Sequence, residues 1–186
     1  MAFSQARDPS WVRLATLVTL ATVAVVVARF GLNPQTPAFC YLAAVGVPLA
    51  FIDVREYRLP DVLTLPSYPA CLLLLGVAAP FLPGGTGRFV HALIGMAAAA
   101  ALFFLLLLAF PAGIGMGDVK LAGPLGAYLG WLGATAFVAG LMAAWLLAAV
   151  TGLGLMAAGR ATRKTQLPFG PFLIIGAFLA ILASTF

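Results

Sequence analysis

The sequence predicts an all-α fold: a polytopic integral membrane bundle of six to seven transmembrane helices. Three observations carry that expectation. Of 186 residues, 63% are hydrophobic and only 8% are charged, whereas a soluble domain carries roughly 25% charged residues. Mean hydropathy is +1.12. The apolar residues also fall into runs approaching the length of about 20 residues that one bilayer crossing requires. Disorder is excluded by the same apolar runs and low charge. Six or seven crossings use nearly the whole length, so the chain is expected to form one membrane domain over 1–186. A first helix and loop occupy 1–37, and the rest of the bundle occupies 38–186.

The runs follow in order. A short polar start holds Arg7, Asp8 and Arg13 and leads into the first run, Leu14 to Ala28. A basic start before a short apolar stretch has the outline of a signal peptide. Arg29-Phe30 interrupts where a small-residue cleavage site would stand, which favours an uncleaved helix. The second run, Ala38 to Ile52, ends at Asp53, and a charged loop follows through Asp61. The third, Val62 to Leu82, is expected to be kinked or locally adjusted at Pro66 and Pro69. Pro83 to Gly87 reads as a turn. Phe89 to Phe110 is the strongest run. A glycine-rich break with Gly113, Gly115 and Gly117 then carries Asp118 and Lys120. Leu121 to Leu129 is short, with a turn expected over Gly130 to Gly133. A long run spans Ala134 to Ala158, a basic cluster holds Arg160, Arg163 and Lys164, and Pro168-Phe169-Gly170-Pro171 opens the last run, Phe172 to Leu182.

Ten Lys and Arg outnumber five Asp and Glu. They stand singly between apolar runs, as topology determinants do, and no basic stripe with interleaved aromatics supports nucleic-acid binding. With a cytoplasmic N-terminus and seven alternating segments, Arg7, Arg13, Arg55, Arg58, Lys120, Arg160, Arg163 and Lys164 fall on the cytoplasmic side. Only Arg29 and Arg88 fall outside. The positive-inside rule selects this orientation, provided that 118–130 counts as a crossing. Cys40 and Cys71 stand alone without a CxxC pair, so a zinc site is unsupported. His91 has no second imidazole nearby and reads as an interfacial residue. Trp11 and Trp131 read as interfacial belt residues, and Trp145 as packing.

The five acidic residues are Asp8, Asp53, Glu56, Asp61 and Asp118. Apart from Asp8 they occupy two loops, which this topology puts at one membrane face. An ionisable group at the hydrocarbon edge is a functional-site hypothesis by default. The structural alternative is that Asp53 and Asp118 are helix-end residues. A helix N-terminus welcomes Asp118, but Asp53 stands at a C-terminal end, where the dipole disfavours it. From pattern alone both readings stand. Gly113, Gly115 and Gly117 give a flexible or tightly bent backbone without a side-chain shield, so an extended peptide could come close to Asp118. Two aspartates sharing a proton suit peptide hydrolysis. One activates water as base and the other protonates the leaving amine, with like-charge repulsion separating their ionisations. No Ser–His or Cys–His site is available on this side.

At these residues the sequence resembles the type IV prepilin peptidase family, a branch of the GxGD-type membrane aspartyl proteases. Asp53, six residues and then Pro60-Asp61 resemble the family's D-x6-P-N/D element. Gly115-Met116-Gly117-Asp118-Val119-Lys120-Leu121 resembles its GxGDxKL, and Pro168-Phe169-Gly170-Pro171-Phe172-Leu173 its PFGPxL. A lone GxGD is weak, but all three in this order on a polytopic chain are specific. The match covers about 40–186, which makes 38–186 the peptidase core. The resemblance implies a catalytic dyad of Asp53 and Asp118 at the cytoplasmic face of the inner membrane. It implies substrates that are prepilins or pseudopilins with a short basic leader before an apolar helix. A basic leader suits a face with four carboxylates. Larger family members carry a zinc-binding, methylating cytoplasmic domain, for which this sequence shows no counterpart. It therefore resembles the peptidase-only members serving Tad/Flp-type pili, or archaeal preflagellin peptidases. The chemistry requires neither a metal nor an organic cofactor.

Supporting roles are expected for Gly115, Gly117, Lys120, Pro168 and Gly170. Lys120 reads as a topology anchor or as a partner of the Asp118 loop. The Pro168–Pro171 stretch reads as a wall against the dyad, where Gly170 permits close approach without a direct chemical role. Asp61 is expected as an N-cap, and Arg55, Glu56 and Arg58 as a solvated loop or, alternatively, as contacts for the substrate leader. The partners are then the substrate and the bilayer, with no nucleic acid; the oligomeric state stays open. Rival readings are a GxGD protease of other membrane proteins, a small proton- or cation-coupled transporter, and a catalytically silent pilus-assembly subunit. The transporter expects carboxylates near the midplane and pseudo-symmetric halves, and the sequence shows neither.

Overall fold

The computed structural model describes residues 9–110, 113–162, 165 and 167–184. Its helices are α1 (Pro9–Phe30), α2 (Thr36–Glu56), α3 (Asp61–Thr64), α4 (Ser67–Ala78), α5 (Gly85–Ala109), α6 (Met116–Leu132), α7 (Ala134–Ala157) and α8 (Gly170–Ala183). A 3₁₀ turn, Ala79–Phe81, extends α4. By length and composition five helical stretches suit a membrane crossing: Ser10–Phe30, Thr36–Glu56, Asp61–Phe81 across its break, Gly85–Ala109 and Ala134–Ala157. The molecule is a helical membrane bundle, as its composition requires.

The third apolar run is adjusted at Pro66, where the helix breaks rather than bends. The first piece, α3, stops at Thr64 with Leu65 as its C-cap, and α4 restarts at Ser67 behind its N-cap Pro66. Pro69 falls in the first turn of α4, where a missing N–H costs nothing. The short helix α6 is the axis of the bundle. Every residue from Asp118 to Trp131 is buried except Lys120. The turn expected over Gly130 to Gly133 is instead mostly helix. Only Gly133, at φ +109°, leaves the helix, because only glycine enters that region freely.

The α6 glycines serve contact rather than bending. A Cβ on Gly126 would lie 2.3 Å from the Gly95 carbonyl oxygen, and one on Gly130 would lie 2.3 Å from that of His91. The α5 and α6 backbones therefore touch, as small-xxx-small faces allow in membranes. The α7–α8 pair repeats the device, since a Cβ on Gly176 would meet the Gly140 carbonyl oxygen at 2.4 Å. Trp131 is not a belt residue. It is 1% exposed, and its indole N–H donates to Gln35 Oε1 at 2.7 Å. Trp145 does pack, against Phe103 and Phe169 at 6.2 and 4.9 Å between ring centroids. Trp11 lies under the Arg55 guanidinium, 5.0 Å from its ring centroid.

At the end of the bundle away from the Asp53 contact with Gly170, Arg29 at the end of α1 donates to the carbonyls of Leu182 and Ser184 at 3.3 and 2.6 Å. A cation there satisfies orphan carbonyls and complements the α8 dipole. Arg163 and Lys164 of the basic cluster lie outside the described residues.

Candidate active site

Asp53 sits in the last turn of α2, because the helix runs past it to Glu56. Asp118 is the third residue of α6. Both carboxylates are buried, at 6% and 9% exposure. They line one open pocket of about 470 Å³ together with Glu56, Asp61, Gly115 and Lys120, among others. Two aspartates separated by 64 residues are thus brought to one end of the bundle by the C-terminus of α2 and the N-terminus of α6.

Each carboxylate is held by a glycine N–H. Gly115 N–H donates to Asp118 Oδ2 at 3.1 Å, the reach-back half of a capping box. Gly170 N–H donates to Asp53 Oδ2 at 3.0 Å. Gly170 opens α8, so its N–H is one of the donors a helix N-terminus leaves free. The positive end of the α8 dipole faces a carboxylate that the C-terminus of its own helix disfavours. A Cβ on Gly170 would lie 2.7 Å from Asp53 Oδ2, so only glycine brings this N–H so close. The expectation that Gly170 merely permits close approach therefore understates it, since it donates a hydrogen bond.

The remaining supporting residues fall as follows. Gly115 is extended (φ −90°, ψ 157°) and Gly117 is helical. Neither occupies the left-handed region, while Gly113 lies in a turn, its N–H donating to the Phe110 carbonyl at 2.9 Å. What Gly117 supplies is space, for a Cβ there would sit 3.1 Å from Leu59 Cβ. Lys120 Nζ pairs with Asp61 Oδ1 at 2.7 Å, joining α6 to the start of α3. Asp61 is not an N-cap. Pro60 holds that position, and no side chain caps α3. Pro168 is partly exposed just ahead of α8, while Phe169 anchors the start of that helix in the Phe103–Trp145 cluster. Arg55, Glu56 and Arg58 are exposed.

Two features escape a reading of the sequence. Tyr57 ends α2 in the left-handed region (φ 52°, ψ 34°), the one non-glycine with positive φ among the described residues. Leu59 is buried within an exposed segment. The only trace of the latter was an apolar residue inside a charged run. Among the described residues no three His, Cys, Asp or Glu side chains form a metal-sized group.

A helical membrane bundle with two buried aspartates facing one pocket defines the class. Residues 39–185 match the type IV leader peptidase family. The chain belongs to that family. A prepilin leader peptidase/N-methyltransferase of Aeromonas hydrophila is 35% identical over 182 residues, covering 95% of this chain and 58% of its own. Proteins of the same name from Burkholderia pseudomallei (strain 1026b) and Pseudomonas aeruginosa are 36% and 32% identical, over 88% and 89% of this chain. The chain spans between about half and three-fifths of these relatives' lengths: 58%, 52% and 57% respectively. No solved structure matches it.

Proposed function

We propose that the chain is a membrane aspartyl endopeptidase that removes a short basic leader from prepilin-like substrates at the cytoplasmic face of the inner membrane. The observation that carries this reading is the meeting of Asp53 and Asp118 in one pocket, each with one oxygen held by a glycine N–H. Family membership supports the substrate class, and the positive-inside rule supports the orientation where α6 crosses the bilayer in addition to the longer helices.

In the proposed reaction the ionised carboxylate of the pair takes a proton from water. The water oxygen attacks the scissile carbonyl carbon, whose π electrons move to the carbonyl oxygen, forming a tetrahedral oxyanion. The protonated partner then gives its proton to the amide nitrogen, the C–N bond breaks, and a carboxylic acid and an amine leave. The glycine N–H bonds keep both side chains in place and help hold negative charge where it resides. The proposal covers peptide hydrolysis alone. A relay role in transport is less well supported, because both carboxylates stand at helix ends rather than at mid-helix.

The test is reconstitution of the purified chain in liposomes with a leader-bearing prepilin. The expected product has a new N-terminus at the leader–helix junction. Intact substrate, or cleavage elsewhere in the polypeptide, contradicts the proposal.

A further inference from the structure

Between Val54 and Asp61 the chain is exposed or partly exposed except at Leu59, which is 8% exposed. Its side chain reaches the supports of both aspartates. A Cβ built on Gly117 would lie 3.3 Å from Leu59 Cδ1, and one built on Gly170 would lie 3.5 Å from the same atom. Gly170 holds Asp53 through its N–H, and Gly117 immediately precedes Asp118 in the first turn of α6. One methyl group thus lies against the N-termini of α6 and α8 at once.

The backbone delivers Leu59 from two fixed ends. Upstream, Tyr57 takes a left-handed conformation that non-glycine residues rarely adopt, and its N–H donates to the Asp53 carbonyl at 2.9 Å. Downstream, Pro60 fixes its own φ at −68°, and Asp61 is tied to Lys120. A segment so constrained at both sides places its apolar residue reproducibly.

We infer that Leu59 is a positioning residue that sets the spacing of Asp53 and Asp118 by wedging between the N-termini of α6 and α8. The inference rests on the dyad reading above. Without the wedge the two helix ends can shift toward the gap, and misplacement of reacting groups by about 1 Å can cost on the order of 100-fold in rate.

The experiment compares kcat and KM for leader cleavage by the wild type, Leu59→Val, Leu59→Met and Asp118→Asn in liposomes, with thermal unfolding checked for each. Leu59→Val withdraws the shared Cδ1 reach with little loss of volume, so the fold is expected to survive. Its kcat is expected to fall about tenfold or more, with KM within about threefold of wild type. Leu59→Met, which restores reach, is expected to recover activity to within about threefold. A wild-type kcat for Leu59→Val beside an inactive Asp118→Asn overturns the wedge alone. A loss carried by KM makes Leu59 a substrate-contacting wall and also overturns it. Wild-type cleavage by Asp118→Asn overturns both the wedge and the dyad.

Discussion

Gly170 and Gly115 each hold one aspartate, yet they do not tolerate a side chain equally. A Cβ on Gly115 would meet Asp118 Oδ2 at an ordinary 3.6 Å, whereas one on Gly170 would press Asp53 Oδ2 at 2.7 Å. Gly170→Ala is therefore expected to displace a buried carboxylate of the proposed dyad and to lower kcat about 100-fold. Gly115→Ala should keep most activity, and side-by-side kcat values check the contrast. Two carboxylates that share a proton also predict a bell-shaped pH dependence of kcat/KM. Activity falls on the acid side when the base is protonated and on the alkaline side when the acid has lost its proton. A profile flat across both limbs contradicts a proton-sharing pair. At this scale the aspartates were legible because carboxylates are so scarce in this chain. The Gly170 bond was not, because a main-chain donor 117 residues away leaves no mark on side-chain chemistry.

Among the elements, α6 departs most from expectation. Gly130 looks like a turn in the sequence, yet it is a helical residue required by the closeness of α5. A glycine chosen for contact and a glycine chosen for conformation are the same letter, and only the neighbouring helix tells them apart. Trp131 misleads for a similar reason: an amphipathic indole suits a membrane interface, but here Gln35 supplies a buried acceptor. The Lys120–Asp61 pair ties α6 to α3 through side chains that are 31% and 55% exposed. Such a pair contributes at most about 1 kcal/mol. Lys120→Met is accordingly expected to leave thermal stability almost unchanged and to lower cleavage only a few-fold, by loosening the strap that carries Leu59. A double-mutant cycle with Asp61→Asn should recover nearly all of the Lys120→Met effect as coupling between the two residues.

The whole molecule is a bundle in which α5 with α6, and α7 with α8, touch by backbone. Its apolar runs and their order were readable from composition. The depth of helix interlock was not, because it depends on which glycines face one another. Gly126→Leu is expected to force α5 and α6 apart and abolish the folded protein, read as loss of the monodisperse peak on size-exclusion chromatography in detergent. Gly154→Ala, where an added Cβ meets nothing within 4 Å, should be recovered like wild type. Equal recovery of both variants contradicts the backbone contact. The same packing carries Asp53 and Asp118, from two distant stretches of chain, to a single pocket, and the proposed chemistry depends on that convergence. The most direct measurement is kcat/KM for leader cleavage by purified Asp53→Asn and Asp118→Asn in liposomes, each shown to be folded. The account predicts a loss of at least about 1,000-fold for both, since neither amide can take up or deliver the proton. Cleavage within about tenfold of wild type by either folded variant would contradict the account.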